Sequence, residues 1–172
     1  MARRRGTAYT TALPEKTMPR VHVKSITVGA DAIDVHRHVN NQEYLRWMQE
    51  VATEHSEAQG WPLDRYLAAG ASWYVRTHFI EYLRPALLGD ELTVCTWVGT
   101  MERRNCRRRT LFLRASDRRV LARAETLWIF VDLKNGRAIP IQEAVRSAFD
   151  VVEEEAEVLR EIGWKAEGAE AE

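Results

Sequence analysis

Apolar side chains follow two different spacings in the first half of the chain. They alternate with polar residues over Val21–Val28, and this alternation predicts a β-strand. Over residues 41–59 they return every three or four positions, which predicts a long amphipathic helix that ends at Gly60. A short second helix is predicted over residues 62–70, because Pro62 suits a first helical turn.

The second half of the chain changes to the spacing of strands. Four segments rich in aromatic and β-branched residues are separated by turn sequences, and they are residues 72–83, 92–98, 107–115 and 120–132. A short helix is predicted over residues 143–149. This order predicts an α+β fold, in which an antiparallel sheet wraps around one long helix. One helix does not cover both faces of such a sheet, so we expect a second copy to supply the remaining cover, in a homodimer or homotetramer.

Composition narrows the class of protein. The 172 residues include 25 basic and 25 acidic side chains, so the zero net charge gives no general attraction to nucleic acid or to anionic membranes. No uncharged apolar run approaches the roughly 20 residues that cross a bilayer. The two cysteines, Cys95 and Cys106, exclude a disulfide scaffold and show no zinc spacing. We therefore expect a cytoplasmic protein with no metal, no nucleic-acid partner and no membrane partner.

Charge is concentrated at the two ends of the chain. Residues 1–20 hold five basic side chains and one acidic one, whereas residues 150–172 hold nine acidic side chains and two basic ones. Blocks of like charge are usually solvated. We predict a basic mobile arm over residues 1–19, a folded domain over residues 20–150, and an acidic helix that frays into a tail over residues 151–172.

A motif lies between the first strand and the long helix. It reads Asp34-Val-His-Arg-His-Val-Asn-Asn-Gln-Glu-Tyr44. This motif resembles that of the hotdog-fold acyl-CoA thioesterases of the 4-hydroxybenzoyl-CoA thioesterase type, whose common pattern is Asp, two variable residues, Gly, His, Val, Asn, Asn and, three residues on, Tyr. Arg37 stands where that pattern has glycine. Further matches follow in family order over about residues 20–140, and they are Ile80–Pro85, Gly89-Asp90, Ala124–Asp132 and Gly136-Arg137 before Ile139-Pro140.

The resemblance implies a hotdog fold and a reaction. The reaction is hydrolysis of an acyl-CoA thioester to a free acid and coenzyme A, with the acyl-CoA as partner and no separate cofactor. Asp34 is then the catalytic carboxylate, and the backbone amide of Asn41 binds the thioester carbonyl. The first N–H groups of a helix lack intrahelical partners and lie at the positive end of its dipole, so a carbonyl docked there is polarised. We take Asp34 to be the general base that activates water.

Other residues are predicted to support this site. His38 either orients the thioester or hydrogen-bonds the loop, and Asn40 either caps the helix or contacts substrate. Tyr44 belongs to the apolar stripe of the helix, and its edge is expected to line the acyl site. The resemblance also implies that the strand beginning Trp73-Tyr74-Val75 helps to line the site across a dimer interface.

Several alternatives stay open. Without the resemblance, a turn or cap role explains Asp34 better than catalysis. A second group of hotdog thioesterases places its catalytic glutamate on the central helix, where this chain has Glu43, Glu50 and Glu54, although a solvated face also explains these. Nine arginines between residues 103 and 123 suit the phosphates of coenzyme A or simply face water. The chain is alternatively a thioesterase for acyl groups on acyl carrier protein, or a hotdog domain that binds acyl-CoA without turnover.

Overall fold

The computed structural model describes residues 19–165. The predicted arm, apart from Pro19, and the last seven residues of the predicted tail lie outside the described residues. The elements of the described part are β1 (Val21–Thr27), α1 (Asn41–Ala58), α2 (Leu63–Ala68), β2 (Ala71–Tyr82), β3 (Glu91–Met101), β4 (Asn105–Arg114), β5 (Arg119–Asp132), α3 (Glu143–Arg146) and α4 (Glu155–Glu161). Apart from α4, which lies in the predicted acidic helix, each lies within a few residues of the segment predicted from the spacing of apolar side chains.

The five strands of the described residues form one antiparallel sheet. Their order across the sheet is β1-β3-β4-β5-β2, so β1 and β2 are its two edges. The tight turns between β3, β4 and β5 make these strands neighbours in space as well as in sequence. The long helix α1 packs on one face of the sheet against β1 and β3. This arrangement confirms the predicted α+β architecture of an antiparallel sheet around one long helix.

Helix α1 begins at Asn41 because Asn40 caps it. The Asn40 side chain accepts a hydrogen bond from the backbone N–H of Gln42 at 2.9 Å. The buried stripe of the helix consists of Tyr44, Trp47, Met48, Val51, Ala52 and His55. Burying a large apolar side chain contributes about 1.5–3 kcal/mol to the free energy of folding. The stripe therefore holds α1, including its first turn at Tyr44, against the sheet. Among the described residues, no helix is long and apolar enough to cross a membrane.

The C-terminal segment packs on the face of the sheet opposite α1. Val158 of α4 and Trp164 are buried against Trp97, whose side chain points away from α1 because side chains alternate along a strand. We expected a solvated acidic helix here. Acidic side chains do lie on its outer side, where Glu155 pairs with Arg123, but the apolar side chains between them attach the segment to the sheet.

This packing changes the reason for expecting a second copy of the chain. Helix α4 supplies part of the cover that we expected from another molecule. The unpaired surface lies instead along the outer edge of β2, which pairs with β5 on its other side only. Exposed apolar side chains line this strand, and they are Tyr74, Val75, Phe79 and Tyr82.

Candidate active site

The loop from Asp34 to His38 is a tight turn held by its own hydrogen bonds. The backbone N–H of Asp34 donates to the His38 carbonyl at 2.8 Å, and the N–H of Arg37 donates to the Asp34 carbonyl at 3.0 Å. The Asp34 Oδ1 accepts from the backbone N–H of His36 at 2.8 Å. Arg37 has a φ of +64°, which lies in the left-handed region that favours glycine. The loop thus has a backbone suited to the glycine of the thioesterase pattern, although arginine occupies the position.

The first backbone N–H of α1 is available for a ligand. The N–H of Gln42 donates to the Asn40 side chain, and the N–H of Glu43 donates to the Asn40 carbonyl at 2.9 Å. The N–H of Asn41 has no acceptor among residues 19–165. Because α1 is 18 residues long, its dipole places partial positive charge at this end.

An open cavity of about 260 Å³ lies beside this donor and is called the helix-start cavity below. His38, Asn41 and Tyr44 line it from the α1 side, and residues 82–85 line it from the end of β2 and the segment that follows. Tyr44 is buried, and burial raises the pKa of its hydroxyl to about 12, so the side chain stays neutral. The helix-start cavity therefore places a hydrogen-bond donor next to an aromatic wall.

A second cavity, of about 240 Å³, lies under the C-terminal half of α1 and is called the aromatic cavity below. Its aromatic wall consists of Trp61, Tyr66, Trp73, Trp128 and Phe149. Trp73 Nε1 donates to the Tyr66 hydroxyl at 3.1 Å, and this hydroxyl lies 3.0 Å from Ser56 Oγ. Ser56 Oγ in turn donates to the Trp61 carbonyl at 2.8 Å. These contacts satisfy the polar groups on that side of the cavity.

Arg108 of β4 also lines the aromatic cavity and is only 7% exposed. Its Nη1 donates to His55 Nδ1 at 2.7 Å. Because a guanidinium only donates, His55 carries its proton on Nε2, which donates to the Pro19 carbonyl at 3.0 Å. Burial, together with the Arg108 charge, lowers the pKa of His55 to about 3, so the imidazole is neutral. Within residues 19–165, no carboxylate pairs with Arg108.

Sequence comparison decides the family. The profile of the Thioesterase-like superfamily matches residues 28–149, which span both cavities. The chain belongs to this superfamily. Over 128 residues it is also 26% identical to the long-chain acyl-CoA thioesterase FadM of Escherichia coli strain K12, a match that covers 73% of this chain and 94% of FadM.

Solved structures share the fold of this superfamily member. Slr0204, a 1,4-dihydroxy-2-naphthoyl-CoA thioesterase from Synechocystis, matches with a TM-score of 0.68 and 18% identity over 74% of this chain and 94% of that one. SAV2348 from Staphylococcus aureus, solved in complex with CoA, matches with a TM-score of 0.70 and 15% identity over 74% and 80% of the two chains. The predicted hotdog fold and thioesterase family are confirmed.

This thioesterase-superfamily chain brings three of the predicted site residues into one cavity. His38, Asn41 and Tyr44 line the helix-start cavity. Asp34 lies in the adjoining loop, where its carboxylate accepts hydrogen bonds, and Asn40 caps α1. Neither Asp34 nor Asn40 lines the cavity in a single chain.

The predicted residues of β2 lie elsewhere. Trp73 lines the aromatic cavity, whereas Tyr74 and Val75 are exposed on the edge strand. Trp73 and Tyr82 are nine positions apart on an extended strand, which corresponds to about 30 Å. Within one chain, therefore, residues 73–75 do not reach the helix-start cavity.

The three candidate glutamates of α1 take part in surface ion pairs. Glu50 and Glu54 pair with Lys24 of β1, and Glu43 pairs with Arg46. None of the three lines either cavity. Residues 19–165 also contain no group of three His, Cys, Asp or Glu side chains that could hold a metal ion.

Sequence reasoning did not single out Arg108. Several of the other arginines between residues 103 and 123 form ion pairs at the surface, as Arg107 does with Glu125 and Arg114 with Asp117. The available signal was strand alternation, because Arg108 is in phase with Phe112, which packs beneath α1. That phase places the Arg108 side chain on the inner face of the sheet.

Proposed function

We propose that this protein hydrolyses acyl-CoA thioesters to a free acid and coenzyme A. One observation carries the proposal. The backbone N–H of Asn41 has no acceptor in the described residues, and Asn41 lines a cavity next to the Asp34 loop. The activity named for FadM and the CoA bound by SAV2348 support coenzyme A as the thiol part of the substrate. Superfamily membership supports thioester hydrolysis as the reaction.

In the proposed reaction, the thioester carbonyl oxygen accepts a hydrogen bond from the N–H of Asn41. Asp34 takes a proton from a water molecule as the water oxygen attacks the carbonyl carbon. The amide and the helix dipole stabilise the negative charge that develops on the carbonyl oxygen. The carbon–sulfur bond then breaks, and the proton held by Asp34 passes to the departing thiolate. The products are the free acid and coenzyme A.

The hydrogen bonds of Asp34 support its role as a base. Its Oδ1 accepts from the backbone N–H groups of His36 and His38, which hold the carboxylate in the loop. Its Oδ2 has no hydrogen-bond partner among residues 19–165, so this oxygen is the one available to water. We assign His38 and Tyr44 to contacts with the substrate on the cavity wall, and Asn40 to holding the helix start.

A panel of acyl-CoAs, with released thiol as the readout, tests this proposal. In Asp34→Asn the rate of thiol release is expected to fall by about 10²–10⁴-fold, which is the usual contribution of a general base. The free energy of unfolding, measured in urea, should stay unchanged. Asp31→Asn is the matched control, because Asp31 is an exposed acid of the preceding turn and should leave the rate unchanged. Equal release from the native chain and Asp34→Asn would remove Asp34 from catalysis.

The same panel, extended with esters of acyl carrier protein, separates the alternative functions. Release from esters of acyl carrier protein, with none from any CoA ester, would make the carrier protein the true thiol partner. Binding of acyl-CoA without release from either type of ester would make the chain a non-catalytic acyl-CoA-binding domain. Both outcomes contradict acyl-CoA hydrolysis.

We further propose that two copies of the chain pair along β2. An exposed edge with unpaired backbone groups and apolar side chains is suited to strand addition, and Phe79 on this edge is 68% exposed. A two-fold axis near the middle of β2 would set the first residues of one strand beside the last residues of the other. Residues 73–75 of the partner subunit would then approach the helix-start cavity near Tyr82, as the resemblance implies.

Light scattering after size-exclusion chromatography tests this pairing. The native chain is expected to have the mass of two or four copies, and Phe79→Glu is expected to shift it to one, because a charged side chain would replace an apolar one along the paired edge. Leu67→Glu is the control, since Leu67 is 52% exposed but lies on α2. A monomeric native chain would contradict the proposal.

A further inference from the structure

We propose that the aromatic cavity binds an apolar or aromatic ligand that carries a carboxylate, and that Arg108 binds that carboxylate. The proposal concerns the cavity under the C-terminal half of α1, which the reaction proposed above does not use. The proposed carboxylate site does not depend on that reaction, because its binding is tested with a ligand that has no thioester.

The first support is a buried positive charge without a counter-charge. Arg108 is 7% exposed, and its one hydrogen bond to a side chain of the described residues goes to the neutral imidazole of His55. Burying a guanidinium is costly unless an anion or several acceptors compensate it. One acceptor uses one of its five N–H groups, so the guanidinium retains donors on the wall of the cavity.

The second support is another donor without an acceptor, which lies beside Arg108 on the sheet. The indole N–H of Trp128 is buried and has no acceptor in residues 19–165. In the pairing of β4 with β5, Trp128 lies opposite Cys106 and Arg108 lies opposite Thr126. Arg108 and Trp128 are therefore diagonal neighbours on one face of the sheet. A buried donor without an acceptor therefore lies beside Arg108, whose own guanidinium donates from the cavity wall, and a carboxylate supplies two acceptor oxygens to it.

The rest of the cavity specifies the remainder of the ligand. Trp61, Tyr66, Trp73 and Phe149 form an aromatic lining, and the Tyr66 hydroxyl is already engaged with Ser56 and Trp73. This lining favours an apolar or aromatic body, as in most small-molecule sites with few polar anchors. The exposed side chain of Leu63 at the wall shows that the cavity reaches the surface.

A purely structural role for Arg108 is the competing explanation. Through His55, Arg108 helps to hold the Pro19 carbonyl and with it the residues that lead into β1. This role requires a hydrogen bond from Arg108 but gives the cavity no preference for an anionic ligand. Discrimination between an acid and its matched alcohol therefore separates the two explanations.

Isothermal titration calorimetry with 4-phenylbutyrate and 4-phenyl-1-butanol measures this discrimination. The two probes share the same aromatic body and differ in the carboxylate. A charge-assisted hydrogen bond in a buried site favours the acid by about tenfold or more, so the native chain should bind 4-phenylbutyrate at least about tenfold more tightly than the alcohol.

Three variants attach this preference to Arg108. Arg108→Met keeps an apolar stem without the charge and should abolish the preference for the acid. Arg108→Lys keeps the charge but loses the guanidinium fork, so it should retain only part of the preference. It takes the place of Arg108→Met in the test if that variant does not fold. Arg107→Met is the matched control, because the neighbouring Arg107 pairs with Glu125 on the other face of β4 and should bind both probes as the native chain does.

Three results would overturn the proposal. They are equal dissociation constants of the native chain for the two probes, absence of binding of both at millimolar concentration, and an unchanged preference for the acid in folded Arg108→Met. A further arm, which rests on the proposed function, identifies the source of the carboxylate. If the carboxylate is the far end of an acyl chain, hexanedioyl-CoA should be hydrolysed with a higher kcat/KM than hexanoyl-CoA, and Arg108→Met should remove the difference. Equal kcat/KM values for the two substrates would identify a free acid as the ligand.

Discussion

The two ends of α1 are built in opposite ways. At the first end, Asp34, His38 and Asn41 come from eight consecutive residues, and the donor offered to a ligand is a backbone N–H. At the other end, His55 contacts Arg108 and Pro19, which are distant in sequence, and all of its polar contacts are buried or half-buried. A local turn and a helix cap thus form one site, whereas long-range packing forms the other. The first end should therefore control rate with little effect on stability, and the second should control stability.

The largest effect is expected from Asn41→Pro, which removes a single N–H. Proline is tolerated at the first position of a helix, and Asn40 already has the extended backbone, with φ −60° and ψ 137°, that the residue before a proline requires. Loss of one oxyanion donor typically costs about 10²–10³-fold in rate. We expect kcat for acyl-CoA hydrolysis to fall by about that factor, with a thermal unfolding midpoint close to that of the native chain.

Asn41→Ala is the control for this substitution. It removes the exposed side chain but keeps the backbone N–H, so kcat should stay within a few-fold of the native value. An Asn41→Pro protein that is folded and fully active would show that the donor at the helix start does not take part in the reaction. A similar loss of kcat in both variants would point to the side chain instead.

At the other end of α1, stability is expected to depend on pH through His55. Its pKa is lowered to about 3 in the folded chain, whereas an unfolded histidine titrates near 6.5. Below pH 6.5 the unfolded chain therefore binds a proton that the folded chain does not, and the free energy of unfolding falls as the pH falls. The expected loss is about 2 kcal/mol between pH 7 and pH 5, measured by urea unfolding, and no contribution remains above pH 7.

The difference between the native chain and His55→Gln isolates this contribution from other titrating groups. Glutamine offers an acceptor to Arg108 but does not titrate, so the curve of unfolding free energy against pH should be flatter for the variant below pH 6.5. Parallel curves for the two proteins would show that His55 has the same pKa in the folded and the unfolded chain, against the hydrogen-bond directions described above.

The contrast between the two ends also explains which features the sequence could predict. The bounds of α1 and the cap at Asn40 follow from apolar spacing and from side chain-to-backbone hydrogen bonding, which are local properties. The resemblance places Arg37 where the family pattern has glycine, and its φ of +64° is a property of the same turn. The α1 wall of the helix-start cavity belongs to this local class, whereas residues 82–85 on its other wall are distant in sequence.

Features that depend on contacts between distant residues were missed or misjudged. The acidic residues of the C-terminal segment predicted a solvated helix, although Val158 and Trp164 are apolar. These two side chains are buried because they pack against Trp97 of the sheet. Arg108 belongs to a run of arginines, several of which form ion pairs at the surface, so its burial depends on the phase of β4 and on His55 across the core. Strand alternation indicates the face on which Arg108 lies, but the partner across the core cannot be read from its own segment.

The smallest effect is expected from Arg37→Gly in the loop at the first end. A side chain in the left-handed region costs roughly 1–2 kcal/mol, and glycine recovers this at an entropic cost of about 0.5–1 kcal/mol, so the net gain in unfolding free energy should be below about 1 kcal/mol. Arg37 is exposed and makes no side-chain hydrogen bond within residues 19–165, so kcat should not change.

Arg118→Gly is the control, because Arg118 also has a positive φ, of +55°. Its guanidinium lies 4.1 Å from the Trp164 ring centre and donates to the Gly163 carbonyl, so this change should lower stability. A loss of stability in Arg37→Gly as large as that in Arg118→Gly would mean that the Arg37 side chain makes a contact that outweighs its backbone strain.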